Sequence, residues 1–175
     1  AVEWLSKDKR KKFLGVRPNV SFAEKSGYLP GTEREKMEPW IRPIMQNLAL
    51  NGLSYNQQEC MEKNHAIQYM PLEHIQGMTF DDTFIILDEV QNMTFEHIKG
   101  FMTRIGKYSK VVMCGDINQV SPMFQNSGLK EYLEMVEYFD MNVHTIEFTR
   151  DDVLRSGVCK EQIIAFEDWS ALKHK

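Results

Sequence analysis

Two adjacent carboxylates, Asp88 and Glu89, directly follow an apolar run over Phe84–Leu87. The run does not alternate with polar residues, which predicts a strand that is buried on both faces, as in a parallel sheet. Open α/β sheets bind their ligands at the carboxyl ends of such strands. An Asp-Glu pair there suits a magnesium-bound nucleotide: Asp88 would belong to the metal's coordination shell, and Glu89 would take a proton from the attacking water.

A second buried strand is predicted over Val111–Cys114, and it ends in a similar polar segment. Gly115 lets the backbone approach a ligand closely, and Asp116 adds a carboxylate. The amide of Gln119 can donate to a phosphate oxygen while it accepts from water. A Gly-Asp turn is common by itself, but in series with the first strand it predicts an NTPase core. We expect Gly115, Asp116 and Gln91 to contact the nucleotide, although Gln91 also suits a simple polar start of a helix.

Several arginines lie near the ends of predicted elements: Arg17, Arg104, Arg150 and Arg155. An arginine so placed can stabilise charge on a transferring phosphoryl group, from its own subunit or from a neighbouring one. We expect Arg104 and Arg155 to act in catalysis and Arg17 to contact the nucleotide. The alternative for each of them is an ordinary ion pair on the surface.

The composition is that of a folded domain, which we expect to span residues 1–175. Hydrophobic residues make up 42% of the chain and charged residues 26%, so bulk disorder is excluded. The net charge of -4 argues against a strongly basic nucleic-acid coat. The cluster Lys7–Lys12 could still contact phosphates, the alternative being a solvated helix end. Three widely separated cysteines predict reduced thiols in the cytoplasm, and we expect neither a signal peptide nor a membrane span.

Strands alternate with helices along the chain, which predicts right-handed βαβ units and a mainly parallel sheet covered on both faces. Besides the two strands above, the predicted strands are Phe13–Val16, Ala66–Met70 and Val143–Phe148. The predicted helices are a short one before Asp8, one opened by a capping box at Thr32 and split by Pro39 and Pro43, Tyr55–Lys63, one capped by Thr94 and running to Ile105 before Gly106, Gly128–Tyr138, and one within Ser156–Leu172. A turn is predicted over Tyr28–Gly31.

These motifs, in this order, resemble the PhoH-like ATPases, which are relatives of superfamily 1 helicase cores. The segments that carry the resemblance are Phe84–Asn92, Phe101–Gly106 and Gly115–Gln119, with Arg17-Pro18, Gly27–Gly31, Lys36, Pro39 and Arg42-Pro43 before them and Ser127–Leu129 and Asp152–Arg155 after them. They cover nearly the whole chain. The resemblance implies a three-layer RecA-like P-loop NTPase fold that uses ATP and Mg²⁺. It places Asp88 on the magnesium shell, Glu89 as base and Gln119 as sensor of the γ-phosphate.

The chain departs from the family pattern in two places. Ser156 stands where the family has a histidine after Asp-Val-Val-Arg, which weakens any role of that position. No G-x-x-x-x-G-K-[ST] motif occurs, although this loop supplies the backbone cradle and the phosphate lysine. The strand leading into that loop is central in a RecA-like sheet, and its loss would leave backbone groups unpaired. We therefore expect the P-loop strand to lie upstream in the natural protein, and this chain alone to be inactive.

The leading interpretation is a magnesium-dependent, helicase-like ATPase coupled to RNA or single-stranded DNA. The resemblance adds links to phosphate starvation and to phage genomes, and a homo-oligomer such as a hexameric ring, in the cytoplasm of a bacterium or of a phage-infected cell. The alternative, which the missing loop motivates, is a catalytically degenerate nucleotide fold that serves as a nucleic-acid-binding or assembly module. A two-metal nuclease fits less well, because it needs more converging acids.

Overall fold

The computed structural model describes residues 1–18, 33–117, 119, 127–154 and 156–173. Its strands are β1 (Lys12–Arg17), β2 (Ile67–Pro71), β3 (Thr83–Leu87) and β4 (Lys110–Met113). Its helices are α1 (Val2–Lys7), α2 (Glu33–Leu50), α3 (Tyr55–Lys63), α4 (Phe95–Met102), α5 (Leu129–Tyr138) and α6 (Gly157–Lys173). Residues Ala1–Phe139 and Asp140–Lys175 form two compact units. The expectation of a single domain over the whole chain stays a prediction.

The four strands form one sheet in the order β2-β1-β3-β4. All three neighbouring pairs are parallel, with Phe13 opposite both Ile67 and Phe84, and Ile85 opposite Val111. The predicted parallel sheet is therefore confirmed. Parallel strands align their carboxyl ends at one edge, so the polar segments that follow β3 and β4 are brought side by side.

Helices cover both faces of the sheet at β1 and β3, which gives three layers. On one face, Leu14, Val16 and Ile85 pack with residues of α4 and α5. On the other face, Phe13 and Ile67 pack with residues of α1, α2 and α3. Successive side chains of a strand point to opposite faces, so a strand between two helical layers has no solvent side. This explains the unbroken apolar run that precedes Asp88.

At β4 the predicted burial is wrong for one face: Val111 and Met113 pack against the core, whereas Val112 is 42% exposed.

The two prolines of α2 do not divide it, so the predicted split is wrong. The helix runs from Glu33 to Leu50 with Pro39 and Pro43 inside it. A proline removes one hydrogen bond to the carbonyl four residues earlier. Both prolines are exposed, as is Glu35, and their spacing of four residues puts them on one helix face. The carbonyls that lose their partners therefore lie on the solvent side, where water can replace the lost bonds.

Helix α4 begins as predicted but ends earlier. Thr94 caps it by accepting a hydrogen bond from the His97 amide, whereas the last helical residue is Met102, not Ile105. Ile105 instead forms a parallel bridge with Phe80, and the Gly106 amide donates to the Phe80 carbonyl over 2.9 Å. Pairing with the segment before β3 thus competes with the last helical turn and replaces it.

The strand predicted over Val143–Phe148 is wrong. These residues have no regular secondary structure, and Ile146 and Phe148 are exposed. Alternation favours a strand only where a neighbouring strand can take its backbone hydrogen bonds, and within the described ranges the sheet contains β1–β4 alone. The terminal helix is confirmed as α6. The predicted cap at Thr32 and the predicted turn over Tyr28–Gly31 lie outside the described residues.

Candidate functional site

A cavity of about 200 Å³ lies at the carboxyl ends of β3 and β4. Its lining consists of Asp88, Glu89, Gln91, Cys114, Gly115, Asp116 and Gln119. Six of these residues are predicted site residues, and they come from two segments that are about 25 positions apart. The parallel pairing of β3 with β4 brings them together, as expected from the strand ends.

The backbone around the two acids bonds first to β1 and, two residues later, to the residue after β4. The Asp88 amide donates to the Val16 carbonyl of β1 over 2.9 Å, whereas the Val90 amide donates to the Cys114 carbonyl beyond β4 over 3.0 Å. Glu89, between them, has a φ of 53°, in the left-handed region that non-glycine residues seldom adopt. Such backbone clusters at functional sites, where the surrounding bonds hold it.

Arg17 lies between the two acids. Its Nη2 donates to Glu89 Oε1 over 3.0 Å, and its Nη1 is 3.5 Å from Asp88 Oδ2. All three side chains are about one third exposed or less, so water screens this pairing only in part. Sequence reasoning placed Arg17 at the nucleotide; the structure brings it to the predicted base and the predicted metal ligand.

Gln91 connects the two strand ends through its buried side chain. Its Nε2 donates to Glu89 Oε2 over 2.5 Å, and its Oε1 accepts from the Asp116 amide over 3.1 Å. Both Glu89 oxygens therefore have a partner, one on Arg17 and the other on Gln91. The orientation of the predicted base thus depends on contacts from β1, from the turn after β3 and from the loop after β4.

The absence of a side chain at Gly115 favours this connection. A Cβ atom at this position would lie 3.0 Å from Gln91 Oε1, 3.1 Å from Leu129 Cδ2 and 3.3 Å from the Gln91 amide nitrogen. These distances are tighter than ordinary van der Waals contact. Glycine lets the loop after β4 approach Gln91 without displacing these neighbours.

Burial and charge shift two ionisable groups of the cavity. Partial burial raises the pKa of Asp88, an effect that the nearby Arg17 guanidinium opposes. Partial burial also raises the pKa of the Cys114 thiol, and the negative charge of Asp88 raises it further. The thiol of Cys114 is therefore held in its neutral form beside the carboxylates.

The oxygen donors of the cavity fit Mg²⁺. This ion prefers oxygen ligands, keeps several waters and is usually held by one or two carboxylates together with substrate phosphates. Asp88 supplies a carboxylate to the lining of the cavity. Within the described part of the chain, no group of three or more His, Cys, Asp or Glu residues could enclose a metal. The arrangement suits an ion shared with a phosphate rather than one enclosed by protein alone.

Of the three other predicted catalytic residues, Gln119 lines the cavity and Arg104 does not. Arg104 does not reach it: its Nε donates to the Ile75 carbonyl over 3.1 Å and its Nη1 to the Gly100 carbonyl, which ties the end of α4 to the turn before β3. Arg104 is thus not brought to the cavity lining, and its expected catalytic role stays a prediction. Gln119 lines the cavity, whereas Arg155 lies outside the described residues.

Sequence reasoning missed Cys114 as a lining residue and missed the two bonds that Gln91 makes. Cys114 directly follows β4 and precedes Gly115, so its position at a strand end was a usable signal. The pairing of Gln91 with Glu89 and Asp116 had no such signal, because it depends on how two distant segments are aligned.

The cavity is smaller than most sites that enclose a whole small molecule. Sites for small molecules and cofactors usually enclose about 300–1,000 Å³, and this one encloses about 200 Å³. Its carboxylates and amides suit the end of a nucleotide that carries phosphates and a metal.

Of the helices in the described ranges, none has both the length and the apolar character that crossing a bilayer requires.

Comparison with known proteins places these motifs in a family. The family profile described as PhoH-like protein matches residues 1–167. The chain is 36% identical over 167 residues to a PhoH-like protein of Mycobacterium tuberculosis, covering 95% of this chain and 47% of the relative. It is 35% identical over 168 residues to a PhoH-like protein of Bacillus subtilis, covering 95% and 52%.

A third relative is Protein PhoH of Escherichia coli, which is 33% identical over 157 residues, covering 89% of this chain and 44% of the relative. The chain thus spans about half the length of the curated relatives it matches.

The parallel sheet between helical layers, with acids and a Gly-Asp loop at its carboxyl edge, agrees with a RecA-like P-loop fold. The matched region covers nearly all of the chain, and the chain therefore belongs to the PhoH family.

Proposed function

We propose that the complete protein binds and hydrolyses ATP with Mg²⁺. The observation that carries this proposal is the convergence of the acids after β3 with Gly115, Asp116 and Gln119 after β4 around one cavity. Asp88 would hold the metal, which would neutralise phosphate charge when bound. Glu89 would accept the proton of the attacking water. Gln91 would orient the Glu89 carboxylate through the bond to Oε2. Gln119 would contact the terminal phosphate.

The test is ATP hydrolysis by the full-length protein, comparing Glu89→Gln with Glu96→Gln. Glu96 is an exposed glutamate of α4 that pairs with Lys99, so its replacement is a matched control. We expect Glu89→Gln to lower kcat by roughly 10²- to 10⁴-fold and Glu96→Gln to leave it unchanged. Equal turnover in both variants would contradict the assignment of the base.

A non-catalytic nucleotide-binding or assembly module is the second candidate, because the sequence holds no phosphate-loop motif. The two candidates differ in a direct way. An ATPase turns ATP over, whereas the module binds ADP or a non-hydrolysable ATP analogue without turnover in the full-length protein. Binding without hydrolysis, unaffected by Glu89→Gln, would favour the module.

The proposed coupling to RNA or single-stranded DNA is supported by a group of cations at the amino ends of the strands. We name this group the basic edge; it consists of Lys9, Arg10, Lys12, Lys107 and Lys110, all of them exposed. Backbone bonds bring its two segments together, since the Lys12 amide donates to the Asp82 carbonyl and the Asp82 amide to the Lys107 carbonyl. Clustered cations attract nucleic-acid phosphates even when the net charge of the chain is negative.

The salt dependence of binding to a labelled single-stranded RNA tests this coupling. Replacing Lys107 and Lys110 by alanine should lower affinity and flatten the plot of log affinity against log salt by about 0.7 per lysine. Lys130→Ala is the control, because Lys130 is an exposed lysine of α5. Equal slopes in the control and the double variant would rule out the basic edge as the contact surface.

Self-association into a homo-oligomer, with a hexameric ring as the specific form, completes the proposal. In a ring, each site lies at a boundary between subunits, which is where an arginine of a neighbour can act. The mass of the full-length protein in solution, measured with and without ATP and Mg²⁺, tests it. A monomer under both conditions would overturn it.

A further inference from the structure

We propose that Arg17 is a built-in counter-cation: its guanidinium holds Asp88 and Glu89 and competes with a divalent metal for these carboxylates. The inference rests on the proposed function and concerns the regulation of the same site. It assigns Arg17 to the protein's own carboxylates, so that the predicted base is released only when the site is filled.

The geometry gives Arg17 both carboxylates at once. Nη2 is 3.0 Å from Glu89 Oε1 and Nη1 is 3.5 Å from Asp88 Oδ2. The second oxygen of Glu89 accepts from Gln91, so neither oxygen of the base is without a donor. Each carboxylate oxygen has two lone-pair sites, so these bonds occupy one site on each oxygen and leave fewer directions from which a water can approach Glu89.

The sheet itself places Arg17 there. In the parallel register of β1 and β3, Val16 lies opposite Leu87, and each strand ends at these positions or one residue later. The next residue on each strand is Arg17 on one and Asp88 on the other. The Asp88 amide donates to the Val16 carbonyl, which continues the ladder to this level. The pairing is therefore built by the backbone and does not depend on a flexible loop.

Electrostatics explain why the two acids need a cation beside them. Two adjacent carboxylates that are partly removed from water repel each other. Partial burial raises the pKa of Asp88, and the charge of Glu89 adds to this, while Arg17 opposes both. The guanidinium thus supplies the positive charge that a bound metal would otherwise provide.

Arginine also determines how the contact can be released. A guanidinium stays protonated throughout the physiological range, so a change of pH does not open this contact as it would with histidine. The contact opens by exchange of partners: a divalent ion brings twice the positive charge to Asp88, and phosphate oxygens offer the guanidinium a new anion. Metal binding and the Arg17 contact compete for the same carboxylate.

The direct test is Mn²⁺ binding to the nucleotide-free full-length protein, measured from the spectrum of free Mn²⁺ by electron paramagnetic resonance. Arg17→Gln should bind Mn²⁺ more tightly than the wild type, by roughly 3- to 10-fold. Arg17→Lys keeps one charge and should fall between the two. Arg42→Gln, which removes an exposed arginine 3.8 Å from Glu38 on α2, should match the wild type.

A second measurement asks whether the contact exists in the empty protein. Arg17→Gln and Glu89→Gln should each change the midpoint of thermal unfolding, and the double variant should change it by less than the sum of the two. Additive changes, or Mn²⁺ affinity that is unchanged or weaker in Arg17→Gln, would overturn the proposal. Because neither readout uses turnover, tighter Mn²⁺ binding in a protein that never hydrolyses ATP would sink the proposed function and keep this inference.

Discussion

The two edges of the sheet differ in how they hold their charges. At the carboxyl ends of β3 and β4, charged and polar side chains bond to one another in a partly buried network around Glu89. At the amino ends of β1 and β4, the cations of the basic edge are exposed to solvent. Partly buried charges interact strongly and determine one another's state, whereas exposed charges are screened and contribute little to stability. Substitutions should therefore alter chemistry at the first edge and long-range attraction at the second.

Among the substitutions that compare the two edges, Gln91→Leu should have the largest effect, because it removes the bonds to Glu89 and to the Asp116 amide. We expect kcat for ATP to fall roughly 10- to 100-fold and the free energy of unfolding to fall by about 1–3 kcal/mol. Steady-state kinetics and urea unfolding measure the two. Gln46→Leu, at an exposed position of α2, should change neither. Unchanged kcat in Gln91→Leu would mean that the network does not orient the base.

Two glycine substitutions, one at each edge, should differ in whether they mainly lower stability or mainly lower ATP turnover. At the amino side, a Cβ on Gly106 would collide with the Asp81 carboxylate and lie 2.8 Å from the Phe80 carbonyl oxygen. Gly106→Ala should therefore lower the free energy of unfolding by about 1–3 kcal/mol. At the carboxyl side, a Cβ on Gly115 would chiefly meet the ends of side chains. Compared with Gly106→Ala, Gly115→Ala should lower the free energy of unfolding by less and the rate of ATP hydrolysis by more. The reverse ranking in urea unfolding and kinetics would break the comparison.

The reactivity of Cys114 reports the charge at the carboxyl edge. Partial burial and the charge of Asp88 raise the pKa of this thiol above its ordinary 9.0, and both effects disfavour the thiolate. Asp88→Asn removes a negative charge, so the midpoint of the pH profile of iodoacetamide alkylation should fall. The measurement needs a background of Cys60→Ser and Cys159→Ser. Asp81→Asn, at the amino side, should leave the profile unchanged; an equal shift in both would show that the effect is not local.

Arg10→Gln should have the smallest effect on stability. Arg10 forms an ion pair with Asp8 over 2.8 Å, but its side chain is 83% exposed. Side-chain entropy and solvent screening offset the attraction in such a pair. We expect the urea midpoint to equal that of the wild type within error, in contrast to Arg17→Gln. A clear loss of stability would show that the basic edge contributes to the fold as well as carrying charge.

Local signals predicted most elements correctly. The apolar run before Asp88 and the cap at Thr94 are short-range features, and both have the predicted structure. Where prediction failed, a distant segment decided the outcome. Ile105 left the helix to pair with Phe80. The alternating residues 143–148 found no neighbouring strand within the described chain.

The arginines show the same limit at the site. The local pattern does not show which of Arg17 and Arg104 meets the acids, since each lies near the end of a predicted element. In the structure, Arg17 lies at the carboxyl edge and contacts both acids, whereas Arg104 donates to carbonyls at the other side of the sheet. Which arginine meets the acids depends on strand order and direction, which no local pattern contains.

The sequence by itself determined the class of fold, the family and the two polar segments that form the site. These follow from hydrophobic periodicity and from the order of motifs, both of which are local properties of the chain. Only the tertiary structure decided which partners the acids have: Arg17 through the register of β1 with β3, and Gln91 through the approach of Gly115. Such contacts join residues up to 72 positions apart, so they exist only once the parallel sheet has aligned its strands.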